Sequence, residues 1–335
     1  MKTAQTDLFN TLAIVISLTL AFSIPFELFL FSYAILGPLH YLTEINWLEK
    51  NDYFIPHKKI IYAFYLIAFL LSIPAFFHIL QSYFELGNDT QAWIRKFGKN
   101  LGLYGLLFIL FFAFSLTLFR SIKKITVFNL FLVLPLIILL PQFNFISTIV
   151  IYFLPTLIHV YVFTALFMLA GYFKNNSQLG LLNIILLGSV PVLISLSRVI
   201  PQEYIPSIYT QQSMQASNML QLNAKIFNLF SNDNNVFTPL APLALKIQIF
   251  VAFAYTYHYL NWFAKTSVIG WYKIINTKKW MIIVSLWIIS IIIYAVDFKT
   301  GIHVLFFMSM LHVILEFPLN FKIVNDLIQS KFLRK

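Results

Sequence analysis

Long apolar segments separated by short polar connections run through the chain from one end to the other. Most are long enough to cross the hydrocarbon core of a bilayer as a helix, which takes about 20 residues. The segments cover 8–24, 26–47, 59–80, 100–119, 124–141, 145–173, 179–197, 241–264, 279–297 and 301–320. This pattern predicts an all-α fold, a polytopic transmembrane helical bundle with about ten spans and a range of eight to ten.

Two places leave the number of spans open. Only Ser23, Ile24 and Pro25 separate the first two segments, so a single long kinked helix there would give nine spans. The segment 124–141 is short, and a re-entrant helix is the alternative to a full span.

The composition agrees with a membrane protein. Of 335 residues, 60% are hydrophobic and 10% are charged, whereas a soluble domain is about 25% charged. The 37 Phe and 17 Tyr residues contribute more apolar surface than one soluble core could bury. We therefore predict a single integral membrane domain over 1–335.

The distribution of basic residues predicts the orientation of the bundle. The chain has 23 Lys and Arg against 12 Asp and Glu, a formal net charge of +11. Most of these cations fall in loops on one side if the N-terminus is cytoplasmic, as the positive-inside rule requires. We expect a multi-pass protein of the cell membrane with both termini cytoplasmic and with membrane lipids as contacts. No basic patch on a polar domain accompanies the charge, so nucleic acid is not an expected partner.

A polar segment at 201–239 is the longest connection between the apolar segments. Its apolar residues fall near helical spacing, and they are Met214, Met219, Leu220, Leu222, Ile226 and Phe227. This spacing predicts an extramembrane loop with a short amphipathic helix on the outer surface. The loop is either a plain connection or a lid over a cavity.

Ionisable side chains inside the apolar segments are costly in a bilayer and are the first candidates for function. They are His40, Glu44, His78, His159, His258, His303, His312 and Glu316. His40 with Glu44 and His312 with Glu316 share the pattern H-x-x-x-E, which puts each pair on one helix face. His303 lies nine residues before His312 and therefore faces the opposite way. A lone histidine in a span ordinarily only hydrogen-bonds a neighbouring helix.

Histidines from several spans meet the requirements of a metal site. His40, His258 and His312 are predicted to lie at similar depth, in the cytoplasmic half of their spans, with His159 near the middle of the membrane. Neutral imidazole suits Fe, Zn, Cu and Ni and carries no charge to bury. The chain has no cysteine, which excludes thiol ligands and iron–sulfur clusters. We therefore predict a metal site made of these four histidines.

Glu44 and Glu316 are the candidate catalytic carboxylates. Each either binds the metal directly or accepts the far N–H of a ligand histidine and fixes its tautomer. The tyrosines that flank His258 are typical of an interfacial aromatic belt, while Asn261 and Trp262 are candidates for lining a pocket.

Three short segments resemble a known family. The stretch 37–40 (GPLH), followed by Glu44, resembles the P-H-G-x-x-D element of the Brp/Blh family of β-carotene 15,15′-dioxygenases. The stretch 311–316 (LHVILE) is similar to that family's C-terminal P-H-x-L-x-x segment, and 257–262 (YHYLNW) stands in the place of its W-H-x-x-R-H segment. The resemblance implies a multi-span enzyme that cleaves β-carotene centrally into two molecules of retinal, using histidine-ligated iron and O₂.

The chain departs from the family pattern at defined positions. Leu39 is inserted before His40, and Leu311 replaces the final proline. Trp262 stands where the family has its second histidine. If Trp262 removes a ligand, the resemblance requires His159 or Glu44 to replace it.

Taken together, these features favour an integral membrane non-haem iron oxygenase that takes a long apolar isoprenoid or lipid from the bilayer. Two alternatives remain open. A di-iron lipid hydroxylase or desaturase would need H-x-x-x-H and H-x-x-H-H clusters, which the seven histidines of this chain do not form. A transporter or proton-coupled carrier would use buried His and Glu as a proton relay and would need no metal.

Overall fold

The structure of the protein is a computed structural model that describes residues 2–81, 83–85, 87–198, 204–231, 236–266, 270–271 and 275–333. Every regular element in these ranges is helical. The α-helices are α1 (Lys2–Ser23), α2 (Pro25–Phe31), α3 (Gly37–Lys50), α4 (Ile61–Leu80), α5 (Asn88–Leu118), α6 (Ile122–Phe128), α7 (Leu134–Leu139), α8 (Asn144–Thr148), α9 (Thr164–Asn175), α10 (Gln178–Leu196), α11 (Ile208–Ala216), α12 (Leu220–Phe230), α13 (Pro242–Lys265), α14 (Thr277–Val296) and α15 (Phe298–Leu333). The π-helical segments are π1 (Ser32–Leu36), π2 (Asn129–Val133) and π3 (Ile149–Phe163), and short 3₁₀ turns cover Asp52–Phe54, Lys58–Ile60 and Leu140–Gln142.

Within the described ranges, 9 helical runs are long and apolar enough to cross a membrane. They are Ala4–Ser23, Pro25–Lys50, Lys58–Leu80, Asn88–Leu118, Ile122–Gln142, Asn144–Asn175, Gln178–Leu196, Thr277–Val296 and Phe298–Gln329. These runs confirm the predicted polytopic helical membrane bundle, and their number lies within the predicted eight to ten. The side of the membrane on which the termini lie stays a prediction.

The boundary between the first two predicted spans is a real break. α1 ends at Ser23, and Ile24 leaves helical geometry with φ −142° and ψ 59°. Pro25 then occupies the first turn of α2, where its missing N–H has no helical partner to lose. The single-kinked-helix alternative is therefore wrong.

Helix α13, the predicted span 241–264, is the exception among the long helices. It has 24 residues, which at 1.5 Å per residue gives about 36 Å, but it is not among the runs apolar enough to span. Polar side chains such as Gln248, Thr256 and Asn261 lower its hydropathy, and all three are buried. Because α1, α2, α10 and α12 pack against α13, its polar groups meet protein partners rather than lipid.

Residues 1–40 and 156–299 form one compact unit, with α13 at its centre. Polar side chains join its helices. Asn261 of α13 donates to Oδ1 of Asn10 on α1 at 2.9 Å. Thr11 of α1 donates to Oδ1 of Asn183 on α10 at 2.7 Å, and Ser177 donates to the carboxylate of Asp7 at 2.6 Å. Such bonds between helices are worth about 0.6 kcal/mol each on average, and they fix which helix faces meet.

Residues 41–155 and 300–335 form a second compact unit. Within it, α4 and α5 approach closely because glycines face the partner helix. A Cβ atom added at Gly98 would lie 2.7 Å from Cγ of Pro74, and one at Gly105 would lie 3.3 Å from Cδ2 of Leu71. Small residues of this kind allow helix backbones to pack in a membrane.

The polar connection after α10 contains two helices, α11 and α12, where the sequence predicted one. Asn223 of α12 donates to Oε1 of Gln248 at 2.6 Å, and Nε2 of Gln248 donates to the carbonyl of Pro25 at 3.0 Å. Tyr204 donates to the carboxylate of Glu27, and burial together with this bond raises the pKa of the Tyr204 phenol. These bonds fix the connection to the start of α2. Its residues 201–203 and 232–235 lie outside the described ranges, and its extramembrane location stays a prediction.

Leucine at Gln248 is expected to destabilise the protein. The change leaves the amide of Asn223 and the carbonyl of Pro25 buried without the bonds that Gln248 supplies, and each stranded group costs about 1–3 kcal/mol. We expect a lower midpoint of thermal unfolding in detergent. Gln221→Leu is the matched control because Gln221 lies on the same α12 as Asn223 and is exposed. Equal midpoints for the two variants would contradict the role given to Gln248.

Candidate metal centre

His258 sits in α13, most of whose residues are buried. Its side chain is 7% exposed. The hydroxyl of Thr256, two residues earlier, donates to the carbonyl of Ala252 at 2.7 Å and bonds Oγ of Ser32 at 2.7 Å. Ser32 is the first residue of π1, so this bond ties the π-helical segment before α3 to the helix that carries His258.

His40 follows π1 by one helical turn. A π-helical turn inserts an extra residue into the helix and changes which face the following residues present, a feature frequent at functional sites. His40 is 1% exposed, and its ring centroid lies 5.2 Å from that of Tyr259 and 5.6 Å from that of Trp262. Gly37 makes this approach possible, because a Cβ atom there would lie 3.2 Å from the hydroxyl oxygen of Tyr259.

His159 lies in π3, where the helix is distorted. Thr156 has φ −118° and ψ −105° next to Pro155, which lacks an N–H and disrupts the preceding helical turn. Tyr161 donates to the carbonyl of Leu187 at 2.6 Å and attaches π3 to α10. His159 is 2% exposed, and its ring centroid is 4.9 Å from that of His258.

The rings of His40, His159 and His258 thus form one buried cluster within the first unit. Nε2 of His40 lies 3.1 Å from Nε2 of His258. Two nitrogens bound to one ion at about 2.05 Å would be about 2.9 Å apart at a right angle and about 3.4 Å apart at the tetrahedral angle. The observed separation lies between these two values and equally matches a hydrogen bond between the two rings, so a ligand role for His258 stays a prediction.

Ligand nitrogens of His40 and His159, one from each ring, lie within 4.8 Å of each other in the first unit, and both side chains are buried. Neutral imidazoles in a dry environment are a donor set that suits a transition metal. This buried group of histidines is able to hold a metal ion.

The other predicted site residues are buried in the second unit. The ring centroid of His312 lies 5.6 Å from that of Tyr41. Glu316 is 5% exposed and accepts a bond from Nδ2 of Asn320 at 3.3 Å. Glu44 is 1% exposed. The catalytic roles given to the two glutamates stay predictions.

Sequence reasoning did not identify Thr164, whose Oγ1 lies 2.8 Å from Nδ1 of His258. Asn261, a predicted pocket residue, bonds Asn10 at 2.9 Å and the hydroxyl of Tyr257 at 3.2 Å, and its pocket role stays a prediction. Asn261 therefore joins helices. Trp262 does lie against the cluster, through its contact with His40.

The remaining histidines have other contacts. His57 lies between two 3₁₀ turns, where its Nε2 is 2.8 Å from the carbonyl oxygen of Arg120. The rings of His78 and His303 face each other in the second unit at 5.2 Å between centroids. None of these three histidines belongs to the group of metal-compatible residues found in the described part of the chain.

Alanine at Gly37 tests the close contact beside His40. The added Cβ would press on the hydroxyl of Tyr259, whose ring lies close to the rings of both His40 and His258. Alanine ordinarily stabilises a helix by about 0.5–1 kcal/mol relative to glycine. Gly188→Ala, where a Cβ atom meets nothing within 4 Å, should therefore raise the unfolding midpoint, whereas Gly37→Ala should fail to raise it. An equal rise in both variants would show that Tyr259 moves freely.

Known proteins do not supply an identity for this site. No family model matches the chain, and neither a curated protein nor a solved structure matches it. The assignment of the cluster therefore depends on its own chemistry and geometry.

Proposed function

We propose that the protein is an integral membrane oxygenase that binds one non-haem iron ion and acts on a long apolar substrate. The observation that carries the proposal is the buried histidine cluster in a polytopic helical membrane protein. The ligands would be His40, His159, His258 and His312. A ligand set made only of imidazoles, with carboxylates nearby in sequence, leaves iron, zinc, copper and nickel as candidates.

Iron is the proposed metal because the resemblance to β-carotene dioxygenases implies it, and bound iron with an open position supplies the chemistry of O₂ activation. The chain itself would provide a dry site. His40 and His159 are almost inaccessible to solvent, and Tyr259 and Trp262 cover the His40 ring. Exclusion of water limits side reactions of a reactive centre.

Glu44 and Glu316 would orient the ligand imidazoles and would not react with the substrate themselves. A buried carboxylate that accepts the far N–H of a ligand imidazole fixes its tautomer and raises its basicity. Asn320 donates to Glu316 and holds that carboxylate in one orientation. Direct binding of the metal by either glutamate is the alternative role.

The substrate class follows from the setting. The bundle exposes apolar side chains along its helices, including Phe31, Phe69 and Phe131, so a lipid-soluble molecule can reach it by lateral diffusion in the bilayer. A carotenoid such as β-carotene is the specific candidate that the sequence resemblance supplies, with retinal as the product. Cleavage of one central double bond by one O₂ gives two aldehydes.

Product formation with β-carotene tests the proposed activity. Purified protein supplied with iron(II) in detergent should consume O₂ and form retinal, measured with an oxygen electrode and by chromatography. His159→Ala should lose both signals, and His57→Ala should keep them. Iron-loaded protein that consumes no O₂ with carotenes, other isoprenoids or unsaturated lipids would contradict the oxygenase. A protein that binds no metal and instead moves protons in vesicles would favour the proton-coupled carrier.

A further inference from the structure

His258 is contacted at both ring nitrogens, and one of the two partners is not a candidate ligand. Nδ1 lies 2.8 Å from Oγ1 of Thr164, and Nε2 lies 3.1 Å from Nε2 of His40. Thr164 is 4% exposed, so no bulk water competes for its hydroxyl. The Thr164 hydroxyl is therefore placed to control where His258 carries its proton.

A neutral imidazole has one N–H, and the other nitrogen carries a lone pair. When Nε2 of His258 carries the proton, it donates to His40, and the hydroxyl of Thr164 donates to Nδ1. When Nδ1 carries the proton, it donates to Oγ1 of Thr164, and Nε2 presents its lone pair towards His40. Only the second tautomer allows both Nε2 atoms to bind the same ion.

We infer that Thr164 is the positioning residue that presents Nε2 of His258 to the metal. This inference rests on the proposed metal site. A hydroxyl can both donate and accept, so Thr164 bonds His258 in either tautomer. With a metal bound at Nε2, the proton of His258 would reside on Nδ1, and Oγ1 of Thr164 would accept it and keep the contact that orients the ring.

Thr164 also lies close in sequence to a second proposed ligand, His159. Thr164 begins α9 directly after π3, and it lies five residues after His159. The i→i+5 bonding of a π-helix brings residues five apart towards one face. The distorted segment that carries His159 thus leads directly into the residue that orients His258.

Valine is the informative substitution at Thr164 because it keeps the β-branched shape and removes the hydroxyl. In Thr164→Val the Nδ1–H of His258 has no hydroxyl to receive it, so the Nε2–H tautomer is favoured and its proton occupies the metal position. Loss of such an orienting partner typically lowers metal affinity about 10- to 100-fold. Thr164→Ser keeps the hydroxyl, and we expect its metal affinity to stay within about threefold of the wild-type affinity.

The test is a competition titration of metal-free protein with iron(II) under anaerobic conditions, against a chelator of known affinity. Thr19→Val is the matched control, because its hydroxyl is exposed and bonds the carbonyl of Val15 on its own helix. Cobalt(II) gives a second readout, since its visible spectrum reports the number and geometry of its ligands. We expect Thr164→Val to weaken binding and to alter the cobalt spectrum, while Thr164→Ser and Thr19→Val match wild type. If Thr164→Val does not fold, Thr164→Ala replaces it with the same expectation.

The outcomes separate the inference from the proposed function. Wild type that binds metal together with a Thr164→Val variant of equal affinity and equal spectrum would overturn the role of Thr164 and leave the site intact. Wild type that binds neither iron nor cobalt would overturn both the site and this inference. Equal weakening in Thr164→Ser and Thr164→Val would also overturn the inference, because the hydroxyl would then not be the group that matters.

Discussion

Alanine at His40 or at His159 is expected to reduce bound metal from about one ion per chain to almost none, since every ligand of a small buried site is needed for tight binding. Both rings are buried and belong to the group of metal-compatible nitrogens. The metal content of detergent-purified protein, measured by mass spectrometry, checks this expectation. Loss in both variants would place two segments that are more than a hundred residues apart in sequence at one ion.

Two histidines of the same chain serve as controls. His57 bonds a backbone carbonyl at a connection between helices, and His303 pairs with His78. His57→Ala and His303→Ala should retain the metal content of wild type. Retention of metal in His40→Ala and His159→Ala at the level of these controls would show that the ion lies elsewhere.

Removal of the metal is expected to destabilise the folded protein strongly. An ion that binds only the native state stabilises it by about 4.1 kcal/mol when its free concentration is 1,000 times the dissociation constant. The cluster joins the start of α3, π3 and α13 through His40, His159 and His258, so the stabilisation should affect the centre of the first unit. Chelation should lower the midpoint of thermal unfolding, and added iron should restore it.

The His40→Ala variant makes this stability measurement specific. Its unfolding midpoint should lie near that of chelated wild type and should not respond to chelator or to iron. A wild-type midpoint that is unchanged by chelation, or an equal response in wild type and His40→Ala, would contradict a structural contribution of metal at this cluster.

Most of the fold was predictable because lipid demands long apolar helices. The break at Ser23–Pro25 follows from proline, which has no N–H to continue a helix. The exception was α13, which the sequence grouped with the other spans. Its polar residues instead meet α1, π1 and α12 through Asn261, Thr256 and Gln248, and hydropathy alone does not distinguish such a buried central helix from a lipid-facing one.

The site was predictable in its residue types and less so in its geometry. The H-x-x-x-E spacing predicts that His40 and Glu44 share one helix face, and both side chains are buried. That spacing applies within α3, but a period of 3.6 residues does not predict which faces follow π1 or lie within π3. The contact of Thr164 with His258 lies just beyond π3 and had no signal in sequence spacing. It depends on the local winding of the helix, which only the structure specifies.

The resemblance to β-carotene dioxygenases remains a hypothesis about activity. Trp262, which replaces a histidine of that family's pattern, packs against the ring of His40. The proposed set of His40, His159, His258 and His312 supplies four imidazoles without a histidine at position 262. The substitution therefore need not cost the metal.

X-ray absorption spectroscopy at the metal edge of the iron-supplied wild-type protein tests the central claim most directly, because it identifies the ligand atoms of the bound ion. The account predicts three or four nitrogen ligands at about 2.1 Å, with the outer-shell scattering that imidazole rings produce. A spectrum dominated by oxygen ligands without imidazole scattering, or a protein that retains no metal after gentle extraction, would contradict the account.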